Sequence, residues 1–336
     1  MKNILYIGNK LSQGNTTETT IETLSTLLIA DGFNVKSVSD KQNKILRLYD
    51  MVFSLLRYKN WVDYVLIDTY STTNFYYAYC CSQLSRYFKL KYIPILHGGN
   101  LPYRLTANPI LSAHIFKNAF VNVAPSSYLI SKFKEHGILN VKYIPNPFQL
   151  NDYDFKLRPI TTINLLWVRS FAKIYNPDLA IQVLKSLKDD GLKANLCMVG
   201  PDKDGSMLRC KALAKMLQLD VEFTGKLSKA EWREKSKDYN VFINTTSVDN
   251  TPMSVIEAMA LGLPIVSTNV GGIPFILHNG TNGILVSPNN VAAFKEAILQ
   301  LAQNPQFCQT IIANARKKVE SLSWQTTKRL WFSLLS

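Results

Sequence analysis

The sequence contains little cysteine and histidine and lacks any long hydrophobic run. Its five cysteines are scattered over 336 residues without a Cys-x-x-Cys pair, which argues against a disulfide framework, and its four histidines argue against a structural zinc site. No run of about 18 apolar residues occurs, so no transmembrane helix is predicted. The first residues form too short an apolar run for a signal peptide, and we expect a reduced, cytoplasmic setting.

Acidic residues are also scarce. The 24 Asp and Glu residues stand against 38 Lys and Arg residues, which gives a net charge of +14 and an isoelectric point of about 9.4. A basic surplus favours an anionic partner, such as nucleic acid, anionic lipid or a phosphorylated ligand. Residues 1–160 carry 18 basic and 10 acidic residues, and residues 161–336 carry 20 and 14, so the charge is spread over both halves. No clustered basic stripe or known nucleic-acid module is found, and we expect no nucleic-acid partner.

Short apolar runs alternate with amphipathic segments along the whole chain. The predicted strands of the first half are Ile4–Ile7, Val35–Val38, Tyr64–Ile67, Tyr92–Leu96, Ala119–Val123 and Val141–Ile144. After residue 160 the pattern restarts with Ile163–Val168, Ala194–Val199, Val221–Thr224, Val241–Asn244, Pro264–Ser267 and Gly283–Val286. Strands and helices that alternate at this spacing predict two α/β domains, each with a doubly wound, Rossmann-like parallel sheet.

The segment Asn146–Pro159, with its prolines and polar residues, is the predicted linker. It separates a first domain, residues 1–158, from a second domain, residues 159–321, and residues 322–336 are expected to cross back to the first domain. Two facing domains of this kind would leave a cleft at the carboxyl ends of their strands, where α/β proteins bind ligands.

A polar loop and a helix follow the predicted strand Val241–Asn244. The loop holds Asp249, and Glu257 lies eight residues later, inside a helix that is predicted to open near Met253. The free N–H groups at Pro252–Val255 would attract an anion, and the helix dipole would favour it. The alternative is that Asp249 caps the helix and that Glu257 is a solvated or salt-bridged side chain.

Cations, glycines or a histidine follow four other predicted strands. Arg169 and Lys173 could clamp a diphosphate, or they could be ordinary surface cations. The paired glycines after Val270 allow either close approach of a ligand or a tight turn. His97 ends a strand and precedes Gly98 and Gly99, although a lone histidine is more often structural. The first strand–helix turn, Gly8–Asn15, contains glycine but is neither a G-x-G-x-x-G fingerprint nor a P-loop.

The block from Asp249 to Glu257, followed by Ala-Met-Ala-Leu-Gly-Leu-Pro, resembles the E-x7-E block of retaining nucleotide-sugar glycosyltransferases of family 4, which have the GT-B fold. The resemblance implies that Glu257 binds the ribose hydroxyls of the donor and that Asp249, which replaces the family's first glutamate, binds hydroxyls of the transferred sugar. It also implies that the backbone N–H groups of Met253 and Ser254 meet the pyrophosphate.

The same resemblance implies roles for the other candidates. Arg169 and Lys173 would neutralise the leaving nucleoside diphosphate, and His97 would position the donor sugar rather than act as a general base. Further donor-binding residues implied by the match are Gly14, Lys226, Leu227, Asn250, Thr251 and Pro252. The acceptor-side residues are Asn15, Gly98, Gly99 and Arg104.

Two Asp-x-Asp triplets, Asp152-Tyr-Asp154 and Asp202-Lys-Asp204, are of the type that binds a metal and a diphosphate in the other large glycosyltransferase fold. One lies in the predicted linker and the other in a loop after a strand, so we expect solvated loop acids and no metal. No cofactor is expected either, since the nucleoside-diphosphate sugar is a co-substrate.

Residues 41–61 form a basic amphipathic segment. Lys41, Lys44, Arg47, Arg57 and Lys59 accompany apolar residues at helical spacing. A helix of this kind can lie on an anionic membrane surface, here the inner face of the membrane. The alternative is a helix that packs in the core and exposes a solvated basic edge.

The resulting prediction is a metal-independent, retaining glycosyltransferase of the hexosyltransferase type. It would move a sugar from a UDP- or GDP-sugar to a hydroxyl of a glycan or lipid-linked acceptor, in the synthesis of a cell-surface polysaccharide or other glycan. The alternatives are a sugar-nucleotide epimerase or phosphorylase related to the GT-B enzymes, and a non-catalytic two-lobed binding protein.

Overall fold

The chain folds into two compact units. The structure is a computed structural model, and it describes residues 1–11, 19–98 and 100–336. The first unit comprises Met1–Phe148 together with Trp324–Ser336, and the second unit comprises Gln149–Ser323.

A six-stranded parallel sheet forms the centre of the first unit. Its strands are β1 (Asn3–Ile7), β2 (Asn34–Val38), β3 (Tyr64–Thr69), β4 (Lys91–Leu96), β5 (Asn122–Ala124) and β6 (Val141–Tyr143). They are ordered β2-β1-β3-β4-β5-β6, and Ile4 of β1 pairs with Val35 on one side and Tyr64 on the other. The order reverses between β1 and β3, which is the kind of switch point where open α/β sheets bind ligands.

Helices cover this sheet. They are α1 (Thr20–Ala30), α2 (Lys44–Tyr58), α3 (Asn74–Tyr87), α4 (Leu101–Ala107), α5 (Pro109–Phe116) and α6 (Ser127–Glu135). The strands are apolar on both faces because helices pack against both, as expected for a parallel sheet. Tyr6 and Leu66, for example, are buried with residues of α1, whereas Leu5 and Val65 are buried with Met51 of α2.

A second six-stranded parallel sheet forms the centre of the second unit. Its strands are β7 (Ile163–Val168), β8 (Ala194–Val199), β9 (Glu222–Gly225), β10 (Val241–Asn244), β11 (Ile265–Thr268) and β12 (Ile284–Val286). The order is β12-β11-β10-β7-β8-β9. Strands β7 and β10 are therefore neighbours, and the loops that follow them lie at the same edge of the sheet.

The helices of the second unit are α7 (Pro177–Asp189), α8 (Ser206–Met216), α9 (Lys229–Lys235), α10 (Met253–Ala260), α11 (Val291–Gln303) and α12 (Pro305–Glu320). The last helix, α13 (Trp324–Leu335), belongs to the first unit. There Trp331 and Leu335 are buried with Ile4 and Tyr6, and the Trp324 indole N–H donates to Asp31 at 2.7 Å.

The predicted strands correspond closely to the observed ones. Ile163–Val168, Ala194–Val199 and Val241–Asn244 are predicted with the observed bounds. The largest difference is at Ala119–Val123, where β5 begins at Asn122. The Asn122 side chain donates to the carbonyls of Phe116 and Asn140, which fixes the start of the strand after the apolar run has begun.

The two units divide at residues 148/149, whereas the sequence places the boundary at 158/159. Residues between these positions bond to the second unit. The Tyr153 hydroxyl donates to Glu257, the Lys156 amide donates to the Leu261 carbonyl, and Arg233 pairs with Asp152. The second boundary falls between Ser323 and Trp324, where the sequence places it between residues 321 and 322.

The helices of both units are short, with 16 residues in the longest, α12. Within residues 1–11, 19–98 and 100–336, none combines the length and the apolar character needed to cross a membrane.

Candidate functional site

The amino terminus of α10 has no side-chain cap and lies beside two buried hydroxyls. Strand β10 is wholly buried and leads into a loop that ends at Pro252, which starts the helix without a side-chain cap. The hydroxyls of Thr251 and Ser254 are buried there, and neither has a hydrogen-bond partner among the residues that the structure describes. Buried hydroxyls are normally paired, so these two, with the uncapped helix end, point to a polar ligand at this place.

Arg169 and Asp249 meet beside this helix end. Arg169 follows β7 and Asp249 follows the neighbouring strand β10, and the Arg169 guanidinium forms an ion pair with the Asp249 carboxylate. Asp249 also accepts from the Asn250 amide at 2.9 Å. The sequence alternative, in which Asp249 caps α10, is not what the structure shows, because Asp249 bonds to Arg169 and to its own loop.

The Arg169 side chain is mostly buried and is held on one face by Tyr175. Its guanidinium carbon lies 4.4 Å from the Tyr175 ring centroid, and burial lowers the pKa of Arg169. The Arg169 backbone also packs tightly, since a Cβ at Gly200 would lie 1.8 Å from the Arg169 carbonyl oxygen. Position 200 therefore requires glycine, and the guanidinium is placed by residues on three strand ends.

Lys173 lies in the turn that precedes α7, and its side chain is exposed. Its backbone amide donates to Asp204 at 2.8 Å, which ties the loop after β7 to the loop after β8. The fold thus places Arg169 and Lys173 in the same loop but in different environments, one mostly buried and one in solvent.

Glu257 is buried in α10, where its carboxylate accepts a hydrogen bond from the Tyr153 hydroxyl at 2.7 Å. Burial raises the pKa of Glu257, while the Tyr153 hydrogen bond and the positive charges of Lys229 and Arg233 act in the opposite direction. The solvated side chain considered from the sequence is therefore excluded. A carboxylate that is desolvated but held by one donor keeps acceptor capacity for a ligand hydroxyl.

The paired glycines support the loop that carries Asp249. The Gly272 amide donates to the Asp249 carbonyl at 2.8 Å, and a Cβ at Gly272 would lie 2.0 Å from the Asn250 carbonyl oxygen. Gly271 is equally close to Asp249 and has a φ of +55°. Both glycines lie in a turn that packs closely on the backbone of this loop, in agreement with the tight-turn interpretation, and the close approach of a ligand stays a prediction.

The remaining donor-side candidates lie in two places. Asn250, Pro252 and Met253 are in or directly after the Asp249 loop, and Asn250 is buried. Lys226 and Leu227 lie between β9 and α9, where Ser228 begins the helix with a reciprocal capping pair to Glu231. The backbone of this second loop is held by the capping pair and by a 2.8 Å bond from the Gly200 amide to the Gly225 carbonyl.

In the first unit, His97 follows β4 and is part of a buried network. Its Nε2 lies 2.8 Å from the Asp68 carboxylate, which also accepts from the Tyr6 hydroxyl at 2.8 Å. The Tyr70 ring stacks on the imidazole with a centroid distance of 4.6 Å. The other Asp68 carboxylate oxygen is buried without a partner among the described residues. The network lies at the carboxyl ends of β1, β3 and β4, which is the switch point of this sheet.

The other described candidates of the first unit, Gly98 and Arg104, make no hydrogen bond to Asp68 or His97. Gly98 has a φ of +83°, which favours glycine, whereas a Cβ at this position would meet no atom within 4 Å. The residue therefore serves the turn after His97. Arg104 on α4 donates to the Ser71 carbonyl at 2.7 Å and to Asn108 at 2.8 Å, and it stacks against Phe75. Gly14, Asn15 and Gly99 lie outside the described residues.

The aspartates of both Asp-x-Asp triplets are exposed. Asp152 pairs with Arg233 at 3.5 Å, and Asp202 accepts from the Gly205 amide at 3.0 Å. Asp204 accepts from the Ser206 hydroxyl at 2.5 Å, at the start of α8. Within the part of the chain that the structure describes, no three Asp, Glu, His or Cys side chains converge as a metal site would require.

Three residues that hold the candidate site residues in place were not identified from the sequence. Tyr153 was placed in the linker, Asp68 lies inside a strand that reads as apolar, and Gly200 is a single glycine after β8. The partners of the first two, Glu257 and His97, are 104 and 29 residues away in the sequence. Only the observation that Asp68 is a charge inside a buried strand could have singled out one of them.

The second unit is similar to known glycosyltransferases. Residues 154–318 match the family model described as glycosyl transferases group 1. The chain is 23% identical over 250 residues to the uncharacterized glycosyltransferase MJ1178 of Methanocaldococcus jannaschii, which covers 72% of this chain and 67% of that protein. It is 24% identical over 263 residues to the putative colanic acid biosynthesis glycosyltransferase WcaL of Escherichia coli, covering 73% and 64% of the two chains. Against plant sucrose-phosphate synthases, the match spans only 10% of their length.

The solved structures extend the similarity to the whole chain. The Anabaena protein HepE in complex with UDP-glucose aligns with a TM-score of 0.78 at 16% identity and covers 99% of both chains. The two parallel six-stranded sheets with their helices are thus the GT-B fold. The chain is thus similar to the glycosyl transferases of group 1 over residues 154–318 and shares its fold with the solved structures over nearly its whole length.

Proposed function

Starting from a chain that matches the glycosyltransferases of group 1 and has the GT-B fold, we propose that it is a retaining enzyme of family 4 that transfers a hexosyl group from a nucleoside-diphosphate sugar to a hydroxyl. The observation that carries the proposal is the uncapped amino terminus of α10, with the buried, unpartnered hydroxyls of Thr251 and Ser254 beside Arg169. This arrangement fits a diphosphate in charge and in hydrogen-bonding capacity.

The other residues of the second unit complete a donor site. Glu257 presents a buried carboxylate to the ribose hydroxyls, and Tyr153 holds the carboxylate in place. Lys173 is exposed on the same loop as Arg169 and supplies a second positive charge to the diphosphate. In support, solved structures of HepE contain UDP and UDP-glucose. We therefore propose a UDP-sugar as the donor, with a GDP-sugar as the competing possibility.

In the proposed reaction the protein acts mainly by stabilising charge on the leaving diphosphate. As the bond between the anomeric carbon and the diphosphate breaks, negative charge grows on the leaving oxygen. Arg169, Lys173 and the N–H groups of α10 would stabilise that charge, without a metal ion or a covalent enzyme intermediate. The Asp249 carboxylate neutralises Arg169 before the donor binds, so donor binding exchanges one anionic partner of Arg169 for another.

For the acceptor we propose a glycan or lipid-linked hydroxyl in the synthesis of a cell-surface polysaccharide. Support comes from the relatives, since WcaL is named for colanic acid biosynthesis and a structural neighbour with a TM-score of 0.71 is titled a lipopolysaccharide outer core galactosyltransferase. The resemblance assigns the positioning of the transferred sugar to His97, whose ring is fixed by Asp68.

The proposal is tested by calorimetric titration of the full chain with UDP, GDP and a panel of their sugars. We expect one nucleotide to bind, and Glu257→Ala to weaken its binding by about tenfold or more, because the variant loses a charge-assisted hydrogen bond. Glu234→Ala is the control, since that glutamate is exposed on α9. If no nucleotide or nucleotide sugar binds, or if Glu257→Ala binds as the unaltered chain does, the proposal is wrong.

A further inference from the structure

Helix α2 has two apolar stripes rather than one. The first stripe, which includes Met51 and Leu55, is buried against the first-unit sheet. The second stripe is formed by Ile45, Leu46, Tyr49, Phe53 and Leu56, which are 79%, 57%, 67%, 48% and 43% exposed. We call these five residues the outer stripe.

The outer stripe is a continuous surface opposite the buried face. At 3.6 residues per turn its five positions fall within an arc of roughly 100°, and the buried positions lie on the other side of the helix. The Tyr49 and Phe53 rings stack with centroids 6.1 Å apart. A helix that only packs in the core needs charged or polar residues on its outer face, and this arc contains none. Packing in the core thus explains the buried stripe of α2, but it does not explain why the outer stripe is apolar.

Two basic residues flank the outer stripe at one end of α2. Arg57 in the last turn and Lys59 directly after the helix are both exposed, one on each side of the stripe. Lys44 is exposed at the start of α2 but lies on the side of the buried positions, and the half-buried Asp50 is the acid beside the stripe. Arg47, which the sequence pattern groups with these basic residues, is buried instead. Its guanidinium donates to the carbonyls of Lys41 and Gln42 and to the Asn9 side chain, so it anchors the start of the helix.

The charge of the whole chain is concentrated in the unit that carries this helix. The first unit contains 18 Lys and Arg against 8 Asp and Glu, a net +10, and the second unit contains 20 against 16, a net +4. The two halves of the sequence have similar net charges because a division at residue 160 places residues 149–160 in the first half and the carboxyl-terminal helix in the second half. In the structure, each of these segments belongs to the other unit.

We infer that the outer stripe is a docking surface for an anionic lipid bilayer. Aromatic and aliphatic side chains would enter the boundary between headgroups and acyl chains, and the flanking Arg57 and Lys59 would contact the anionic headgroups. A second copy of this chain is the less favourable occupant, because it would bring two units of charge +10 together. The inference is independent of the proposed donor and reaction.

Vesicle co-sedimentation of the full chain tests this inference. The vesicles are phosphatidylcholine alone, or phosphatidylcholine with about a quarter phosphatidylglycerol, at low ionic strength. We expect binding to the anionic vesicles only, and a loss of about tenfold or more in the triple variant Ile45→Ser, Tyr49→Ser, Phe53→Ser. Arg57→Gln with Lys59→Gln should lower binding at low salt, and binding of this variant should fall less than that of the unaltered chain as salt is added.

The matched control is the triple variant Tyr87→Ser, Ile110→Ser, Leu139→Ser. These first-unit residues are 79%, 70% and 74% exposed, and they lie outside the outer stripe. The control should bind vesicles as the unaltered chain does, and circular dichroism should show all three proteins folded. The inference is overturned if the unaltered chain does not bind anionic vesicles, if both triple variants lose binding equally, or if light scattering shows a dimer that only the outer-stripe variant abolishes.

Discussion

Asp249 has partners within the protein as well as the ligand-binding role that the resemblance implies. The resemblance places it on hydroxyls of the transferred sugar, whereas in the structure its carboxylate is paired with Arg169 and with the Asn250 amide. Aspartate is one methylene shorter than the family's glutamate, and here it reaches the guanidinium beside it. Asp249 thereby holds Arg169, the proposed partner of the leaving diphosphate, in position and compensates its positive charge.

Two substitutions separate these roles. Arg169→Ala should weaken UDP binding about tenfold or more, because a charged donor to the diphosphate is lost. Asp249→Asn should leave UDP binding unchanged or strengthen it, because it removes the acid that competes with the diphosphate for Arg169. Titration of both variants with UDP, and then with the UDP-sugar, measures this. Equal losses of UDP affinity in the two variants would contradict the competition.

Glu257 predicts a pH dependence of stability. Burial raises its pKa above the ordinary value of 4.5, so between 4.5 and the raised pKa the folded chain binds more protons than the unfolded chain. The stability contributed by this group is therefore present at low pH and is lost as the pH rises through that interval. Glu257→Gln removes the titration, and the variant should unfold at a higher temperature than the unaltered chain at neutral pH, with a flatter pH profile.

Thermal unfolding from acid to neutral pH, followed by circular dichroism, checks this expectation. The exposed Glu234→Gln variant is the control and should keep the pH profile of the unaltered chain. A Glu257→Gln variant that loses stability at neutral pH would show that the carboxylate is stabilised, rather than penalised, by its surroundings.

At the scale of elements, α10 shows what sequence patterns predict well and what they miss. Its start near Met253 and the buried strand before it were predicted because strands in a parallel sheet are continuous apolar runs and because Pro252 fits a helix start. The pairing of Tyr153 with Glu257 was not predictable, because the two residues are 104 positions apart and a tyrosine within the predicted linker has no distinctive spacing. The pairing of Arg169 with Asp249 was not predictable either, because the two residues are 80 positions apart. It depends on β7 and β10 being neighbours in the sheet.

The uncapped start of α10 predicts opposite effects on stability and on binding. Ser254→Ala removes a buried hydroxyl that has no partner among the described residues, so the free protein should be as stable as before or more stable. The same change should weaken UDP binding several-fold, since the hydroxyl is placed for the diphosphate. Ser236→Ala is the matched control, because its buried hydroxyl donates to the Arg233 carbonyl at 2.6 Å.

Thermal unfolding and UDP titration of both serine variants give the comparison. The control should lose stability and keep its UDP affinity. If Ser254→Ala is destabilised like Ser236→Ala and binds UDP normally, the hydroxyl has an internal role and the anion site at α10 is misassigned.

For the whole molecule, the structure changes the meaning of the basic composition. The first unit has a net charge of +10 and carries the outer stripe, and the second unit has +4 and carries Arg169, Asp249 and Glu257. The alternation of strands and helices was enough to predict two parallel α/β sheets, and the structures of glycosyltransferases share them. The exposed face of α2 could not be separated from its core face by composition, because both are apolar.

The stereochemistry of transfer tests the central claim most directly. An α-linked nucleotide sugar is incubated with the full chain and a hydroxyl acceptor, and the anomeric proton of the new glycoside is followed by NMR. We predict release of the nucleoside diphosphate and an α-linked product, with the signal lost in Glu257→Ala. A β-linked product would contradict retention, and a donor panel that yields neither transfer nor hydrolysis would contradict the proposed glycosyltransferase activity itself.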